Sequence, residues 1–296
     1  MPSESAFRRT LRRLDADAFD DLAGARAQQA TMPGPKQRRV IAVDGKTLRG
    51  PASGGAPGDH LLAALDHAHG AVPGQVEVRS EDNEIPMFAV LLDRIGITGA
   101  VITAEAMHAQ RGHATCLAGR GAHYLFTVKR NQPGLHAQLA SRPWRQVPVA
   151  DDTRERGHGR EERRTMKITA VAAGLAFPHA ARAIQIARRR QLGGRKKRSR
   201  ETVCAITSLT YPGQPGRTRG HHPRPLDDRG PPALGPRHGL RRGPFTGPHR
   251  QRPSRDGHLA QPRLTILRLT GHVSIAAALR HHARRPGRPL RTIMKC

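Results

Sequence analysis

The chain of 296 residues contains few aromatic side chains, few cysteines and few acidic residues. Phe, Trp and Tyr make up 3% of the sequence, so a hydrophobic core has to be built mainly from Ala, Leu, Val and Ile. The cysteines Cys116, Cys204 and Cys296 lack paired spacing, which argues against a disulfide framework and against a zinc site. The sequence contains no apolar signal segment and no apolar run that approaches a membrane span. We therefore expect a soluble cytoplasmic protein without a membrane partner.

Basic residues dominate the charge balance. Lys and Arg total 51 against 23 Asp and Glu, and the formal net charge is +28. Such a charge attracts polyanions, so nucleic acid is the first class of partner to consider. Charge alone does not name an activity, because translation of GC-rich DNA also produces arginine-rich chains. The scarcity of aromatic side chains for base stacking disfavours an RNA-binding protein.

Apolar strands alternate with amphipathic helices along most of the chain, which predicts a mixed α/β fold. Residues 5–24 are predicted to form a helix whose apolar side contains Phe7, Leu11, Leu14 and Leu22. This side has no preceding helix to pack against, so we interpret residues 1–30 as the remnant of an N-terminal helical domain. From about residue 151 the segments become strand-like, which predicts a β-rich insertion over about 151–210.

Two acidic residues are predicted to end buried strands. Asp44 ends the run RRVIAVD before a glycine turn, and Glu105 ends the run AVITAE. On neighbouring strands of an open α/β sheet, the two carboxylates would converge at one edge. Paired carboxylates without thiols suit Mg²⁺ or Mn²⁺, and two such ions can assist in-line phosphoryl displacement. From spacing alone two alternatives stay open, in which Asp44 caps a turn and Glu105 opens a helix at its positive end.

Five motifs resemble a known family. In chain order they are IAVDGKTLRG, NEIPMFAVLLDRIGITGAVITAEAMHAQ, YLFTVKRNQPGLH, ERGHGREERRT and LTILRLTGHVSIAAALRHHARRP. Together they resemble the H-repeat-associated group of insertion-sequence DDE transposases, over most of residues 1–210 and 264–296. The resemblance implies an RNase H-like catalytic domain over residues 38–210, including the β-rich insertion, and a C-terminal helical tail over residues 264–296.

The resemblance also implies a chemistry, in which Mg²⁺ or Mn²⁺ held by Asp, Asp and Glu supports DNA cleavage at transposon ends and joining to a target. Asp44 matches the first Asp of the family. The expected DNA-contacting residues are basic or amide side chains in or near loops: Lys46, Arg49, Lys129, Arg130, Asn131, Gln132, Arg195, Lys196 and Lys197. Arg188–Arg190 and Arg195–Arg200 form a basic hairpin that either grips the DNA backbone or is a solvated charge run. The expected partners are DNA and a second copy of the chain in a homodimer.

The chain departs from the family pattern at two of its acidic positions. Glu105 stands where the family has its second Asp, and the extra methylene moves the carboxylate by roughly 1.5 Å, on the scale that costs about 10²-fold in rate. The helix that bears the family's third acidic ligand is missing. Glu162 matches a family position, but we interpret its segment as insertion structure, and it could replace the third ligand only if the fold brings it inward.

A stretch rich in Pro, Gly, Arg and His stands where that helix is expected. Read one nucleotide out of frame, with free third bases, Tyr211 to His221 permits TQASPAELADI and His221 to Arg237 permits IIRGHWTIEGRLHWVR. These strings resemble the family's own motifs in the right order. We infer that residues of about 211–263 are an unstructured product of two compensating frameshifts, and the alternative is a genuine disordered basic arm. The sequence thus predicts a DDE-type transposase that is impaired or inactive, or alternatively a non-catalytic basic DNA-binding remnant.

Overall fold

A computed structural model describes residues 13, 15–34, 37–47, 60–78, 83–157, 160–171, 175–192, 198–210, 264–272 and 274–283. The chain divides into two compact units. The first comprises Met1–Ile97 and Leu234–Cys296, and the second comprises Thr98–Ala233. The stretch over residues 211–263, which we expect to be out of frame and unstructured, lies outside the described residues.

An antiparallel meander forms the sheet of the first unit. Its strands are β1 (Val40–Thr47), β2 (His60–Asp66) and β3 (Gly74–Val78), in the order β3-β2-β1. Both faces of β2 are largely buried, which explains its nearly continuous apolar sequence HLLAALD. The sheet is covered by a later helix of this unit, whose buried residues are Phe88, Leu91 and Leu92. These side chains supply the apolar area that stabilises the unit.

Helix α1 (Ala16–Ala30) overlaps the end of the predicted helix over residues 5–24, whose predicted apolar residues Phe7, Leu11 and Leu14 lie outside the described residues. The side chain of Asp15 caps it by accepting hydrogen bonds from two backbone N–H groups of the first turn. Leu22 is 73% exposed, so the predicted apolar side is wrong at this residue. Small and polar residues form the buried side instead: Asp20, Gly24 and Ala27. The helix ends at Ala30, and an origin of residues 1–30 in a separate domain stays a prediction.

Polar contacts tie both ends of the first unit to its sheet. Arg39 forms a buried ion pair with Asp66, with 3.2 Å between Nε and Oδ2, and its Nη2 donates to Thr31 Oγ1 at 2.7 Å. At the other end of the chain, Thr265 Oγ1 accepts a hydrogen bond of 3.0 Å from the backbone N–H of Val72. Thr265 belongs to a helical segment over residues 264–269, and a second helix follows at Ile275–Ala283. Both lie in the stretch where the C-terminal helical tail is expected.

Helix α2 (Glu84–Asp93) packs on β3 and β2. It begins after Asn83, whose side chain accepts a hydrogen bond of 2.8 Å from the N–H of Ile85. Gly74 in β3 lies against Leu91 and Ile95, and its lack of a side chain lets the helix approach the strand closely. The helix thus lies within the motif NEIPMFAVLLDRIGITGAVITAEAMHAQ.

A parallel strand pair lies at the start of the second unit. It consists of β4 (Val101–Ala104) and β5 (His123–Val128), which are connected by a 3₁₀ turn (Ala106–His108) and helix α3 (Arg111–Gly119). Helix α4 (Pro133–Ala140) follows β5. The side chains of Tyr124 and Phe126 of β5 are large and fully buried. Strands buried on both faces read as continuous apolar runs, which is why both were predictable.

The β-rich insertion extends this same sheet. Strands β6 (Val149–Gly157), β7 (Arg160–Ala170), β8 (Arg182–Leu192) and β9 (Arg198–Thr207) are antiparallel, and β9 pairs with both β8 and β5. The strand order in this unit is β4-β5-β9-β8-β7-β6. The predicted mixed α/β class with flanking helices and a β-rich insertion is confirmed. In the described parts of the chain, no helix combines the length and hydropathy that crossing a membrane requires.

Candidate active site

Asp44 lies inside β1 and not at its end. The strand continues to Thr47, and Asp44 pairs with Ala63 of β2. The predicted glycine turn after Asp44 is therefore wrong, and so is the alternative in which Asp44 caps that turn. The strand continues because β2 offers an antiparallel partner to each of these residues. Side chains alternate along a strand, so Asp44 and Lys46 share one face, and both are half-buried.

The ammonium of Lys46 is sensitive to this environment. Burial lowers the pKa of Lys46 from its ordinary value of 10.5 to about 8, while the charge of Asp44 acts in the opposite direction. The side chain therefore remains mainly protonated near neutral pH. The sequence placed Lys46 near DNA phosphates, and this contact stays a prediction.

Gly45 faces the other side of β1, where Glu84 approaches the strand. The carboxylate of Glu84 lies against the α-carbon of Gly45, in the space that a β-carbon would occupy. Oε1 of the same carboxylate lies 2.6 Å from Nε2 of His60. The glycine after Asp44 is thus required for close approach and not for a turn. Neither Glu84 nor His60 was predicted as a site residue, because their contact joins residues 24 positions apart.

Glu105 lies at the carboxyl end of β4 in the second unit, where the sequence placed it. Its backbone is extended and its side chain is exposed. It occupies the residue before the 3₁₀ turn, but its side chain makes no capping hydrogen bond there. Glu105 therefore precedes a three-residue turn and not a longer helix, and its carboxylate is exposed to solvent. Asp44 belongs to the first unit, and a site shared by the two carboxylates stays a prediction.

Two amide side chains hold the segment that follows Glu105. Asn131 Nδ2 donates a hydrogen bond of 2.8 Å to the carbonyl oxygen of Ala106, and Gln132 Nε2 donates one of 3.4 Å to Gln110 Oε1. Both amides were predicted to contact DNA phosphates. Asn131 thus contacts the backbone of the residue after Glu105, whereas Gln132 contacts the side chain of Gln110. Their contact with DNA stays a prediction.

Only some of the remaining predicted DNA-contacting residues belong to the described part of the chain. Lys129 and Arg130 are exposed directly after β5, and β5 is parallel to β4, so they lie at the same sheet edge as Glu105. Arg49 and the hairpin-tip residues Arg195, Lys196 and Lys197 lie outside the described residues.

Glu162 is part of the insertion sheet and does not act as a spare ligand. It is 4% exposed on β7, and three guanidinium groups surround its carboxylate. The Nε atoms lie 2.5 Å (Arg164), 3.1 Å (Arg188) and 2.7 Å (Arg190) from its oxygens. Burial acts to raise the pKa of Glu162, but the hydrogen bonds from Arg190 and Arg164 and the charge of Arg188 hold it below its ordinary value. Arg188 and Arg190, predicted as part of a DNA grip, are thus occupied in this cluster.

The family follows from comparison with known proteins. The transposase DDE domain matches residues 35–206, which include Asp44, Glu105 and most of the insertion sheet. The chain belongs to the transposase DDE domain family. The resemblance to H-repeat-associated transposases that the motifs indicate is thereby confirmed.

Relatives of this DDE domain chain include proteins of Escherichia coli and of Xanthobacter autotrophicus. The chain is 36% identical over 130 residues to "H repeat-associated putative transposase YhhI" of strain K12, covering 42% of this chain and 34% of that protein. It is 32% identical over 147 residues to "Putative transposase YncI" of strain K12, covering 46% and 58% respectively. It is 27% identical over 219 residues to "Uncharacterized protein in dhlA 3'region" of Xanthobacter autotrophicus, covering 71% and 73%. The chain spans between 34% and 58% of the two Escherichia coli relatives named here.

A solved structure shows a weaker similarity. The chain resembles a chain of the "piggyBac transposase synaptic complex with hairpin DNA" with a TM-score of 0.36 and 15% identity, covering 71% of this chain and 41% of that one. This similarity is too low to support a conclusion about fold or function.

Divalent metal ions are a general requirement that the DDE domain implies. Asp44 and Glu105 offer carboxylate oxygens, which are the ligands that Mg²⁺ and Mn²⁺ prefer. Among the residues that the structure describes, no group of three or more His, Cys, Asp or Glu side chains could hold a metal ion. The described donors therefore fit such ions in part, as two carboxylates without a third.

Proposed function

We propose that this chain is a DDE-type transposase by descent and that the present copy carries out little or no transposition. The match of the DDE domain to residues 35–206, with acidic residues at positions 44 and 105, is the observation that supports the proposal best. In the intact reaction, water attacks the phosphodiester at a transposon end and frees a 3′ hydroxyl. That hydroxyl then attacks a target phosphodiester, forms a new P–O bond and releases the target's 3′ oxygen.

Each residue of the candidate site has a proposed role. Asp44 and Glu105 would hold the divalent ions, which when bound stabilise negative charge on the reacting phosphodiester. Lys46 places a half-buried positive charge beside Asp44, suited to a nearby DNA phosphate. Asn131 fixes the turn after Glu105 through its bond to Ala106 and acts as a positioning residue.

Two departures support the proposed impairment. Glu105 is one methylene longer than the aspartate of the family, and near-octahedral Mg²⁺ coordination tolerates little displacement. The third acidic ligand is absent from the family's expected position, where the out-of-frame stretch over residues 211–263 stands instead. A site with one altered and one missing ligand loses much of its control over the metal ions.

A cleavage assay with matched variants tests the proposal. The substrates are duplexes that carry the element's terminal repeats, in the presence of Mg²⁺ or Mn²⁺. We expect no cleavage by the chain as it stands, cleavage by a chain whose reading frame is restored across residues 211–263, and about 100-fold faster cleavage when that chain also carries Glu105→Asp. Asp44→Asn in the restored chain is the inactive control.

Two outcomes would overturn parts of the proposal. Efficient metal-dependent cleavage by the unaltered chain would contradict the loss of the third ligand. A restored chain that does not cleave even with Glu105→Asp would remove the enzymatic assignment. Sequencing the gene across codons 205–265 decides whether the two frameshifts are present.

The net charge of +28 favours a second candidate function, a non-catalytic DNA-binding remnant that occupies transposon ends. Gel shifts on terminal repeats and on random DNA across a salt series separate specific DNA binding from non-specific attraction. Tighter binding to the repeats at all salt concentrations supports the remnant, whereas equal affinity with a steep salt dependence indicates simple polycation behaviour.

A further inference from the structure

A groove on one face of the insertion sheet concentrates positive charge. We call it the basic groove, and define it by Trp144, Arg145, Arg163, Lys167, Arg189 and Arg200, which line a cavity of about 280 Å³. Arg163 and Lys167 belong to β7, Arg189 to β8 and Arg200 to β9. All of these residues lie in the second unit.

The strand register aligns arginines across the whole insertion sheet. Arg154 of β6 pairs with Arg163, Arg163 pairs with Arg189, and Arg189 pairs with Arg200. Directly opposite residues point to the same face, so the four form one row, which we call the arginine ladder. At a strand spacing of about 4.8 Å the ladder is about 14 Å long, comparable to about four base-pair steps of 3.4 Å.

Such a ladder is unfavourable for the protein alone, because like charges that lie directly opposite each other destabilise a sheet. Among the described carboxylates, Asp152 offsets part of the repulsion through a fork of hydrogen bonds with Arg163, whose Nε lies 2.8 Å from Oδ1. Arg154, Arg189 and Arg200 are exposed. The groove also contains Arg145 and Lys167, so positive charge exceeds negative charge on this face.

The opposite face of the same strands is balanced. There Glu162 neutralises Arg164, Arg188 and Arg190 at short range, and Arg188 and Arg164 have second acidic neighbours at 3.8 Å and 3.9 Å. The same four strands therefore compensate their arginines on one face and leave an excess on the other. An excess of exposed guanidinium groups in a row is complementary to a regularly spaced polyanion.

We infer that the basic groove and the arginine ladder bind the phosphodiester backbone of DNA without reading its sequence. Guanidinium groups match phosphate oxygens with paired hydrogen bonds, and such contacts position DNA without specifying bases. Trp144 adds an apolar wall, since its Nε1 already donates to the carbonyl oxygen of Leu139 at 2.7 Å. This inference rests on the proposed function for its choice of DNA, and it assigns Arg145, Arg154, Arg163 and Lys167, none of which the sequence analysis singled out.

Fluorescence anisotropy on a random 30-base-pair duplex across a salt series tests the inference, with the full chain and two matched pairs of substitutions. For Arg189→Gln with Arg200→Gln, we expect affinity at 0.1 M salt to fall by at least about tenfold and the slope of log K against log salt to shrink by about 2. The control pair Arg26→Gln with Arg38→Gln removes two exposed arginines of the first unit and should leave the slope within about 0.5 of the original.

Two further measurements separate binding from a structural role. Arg189→Gln with Arg200→Gln, called the glutamine pair below, should raise the midpoint of urea unfolding at low salt, because it relieves repulsion between the arginines. The pair Arg189→Lys with Arg200→Lys keeps both charges and should keep the salt slope. A slope that the glutamine pair does not change, or that the control pair changes equally, would overturn the inference. Tighter binding to single-stranded RNA of equal length, lost in the glutamine pair, would overturn the assignment to DNA.

The cleavage assay described above distinguishes failure of the groove from failure of the proposed function. A normal slope in the glutamine pair together with cleavage by the restored chain would leave the transposase assignment intact and refute the groove alone.

Discussion

Replacing Glu162 with Gln tests how the insertion sheet is held together. The substitution keeps the shape and one acceptor oxygen but removes the charge that three guanidinium groups share. Arg164 and Arg188 are most affected, since their side chains are only 13% and 17% exposed. Arg190, at 36% exposure, is better able to recover hydration.

The expected cost follows from this geometry. Removing one partner of a buried ion pair destabilises a protein by about 3–5 kcal/mol, because the remaining charge stays buried without compensation. Glu155 and Glu201 lie 3.9 Å and 3.8 Å from Arg164 and Arg188 and still supply some negative charge. We therefore expect a loss near the lower end, about 3 kcal/mol in the free energy of unfolding.

Urea denaturation followed by tryptophan fluorescence measures this loss. Trp144 is the single tryptophan of the chain, it is 7% exposed, and it belongs to the same unit as Glu162. Glu161→Gln is the matched control, because Glu161 is the neighbouring carboxylate on the other face, and its ion pair with Arg156 is exposed at 3.5 Å. An exposed pair contributes about 0–1 kcal/mol, so the control should change little.

The pH dependence provides a second readout. The pKa of Glu162 is held below its ordinary value, so its contribution to stability is complete above about pH 4.5 and is lost as the pH falls through its lowered folded-state pKa. The difference between the unaltered chain and Glu162→Gln should therefore be constant near neutral pH and shrink in acid. A loss no larger than that of Glu161→Gln, or a difference that grows in acid, would refute the reasoning.

Two further predictions concern the candidate site. Asn131→Ala should cost about 1 kcal/mol and speed amide hydrogen exchange over residues 106–110, because the bond to Ala106 is lost; unchanged exchange would show that other contacts hold the turn. Gly45→Ala should displace the end of the Glu84 side chain from His60 and destabilise the first unit by about 1 kcal/mol, and Gly45→Ala with Glu84→Ala should recover most of the loss in calorimetry. Additive effects of those two changes would argue against the clash.

Apolar runs predicted the strands well because a strand buried on both faces must be apolar throughout. The run AVITA became β4 and YLFTV became part of β5, with Glu105 at the end of β4 as expected. The end of β1 was wrong because a glycine after an aspartate is typical of a turn. In the folded chain that glycine instead makes room for Glu84, a contact between residues 39 positions apart that no local pattern contains.

The charge pattern was predictable in amount but not in arrangement. The sequence analysis treated Arg188–Arg190 as one basic cluster, yet alternation along β8 sends Arg188 and Arg190 to Glu162 and Arg189 to the arginine ladder. Which arginines pair across strands depends on the register, and the register depends on the turns and on the buried face. Leu22 was wrongly assigned to a buried side for a related reason, because the buried side of helix α1 consists of small and polar residues that carry no hydrophobic signal.

The most direct test of the central claim is whether Asp44 and Glu105 hold the same divalent ion. Iron(II) replaces Mg²⁺ at oxygen-ligand sites, and with ascorbate and peroxide it cuts the nearby protein backbone. We predict cuts beside both residues 44 and 105, suppressed by excess Mg²⁺ and lost from both places in Asp44→Asn and in Glu105→Gln. Cuts beside only one of the two residues, or cuts at residue 105 that survive Asp44→Asn, would contradict the shared metal site.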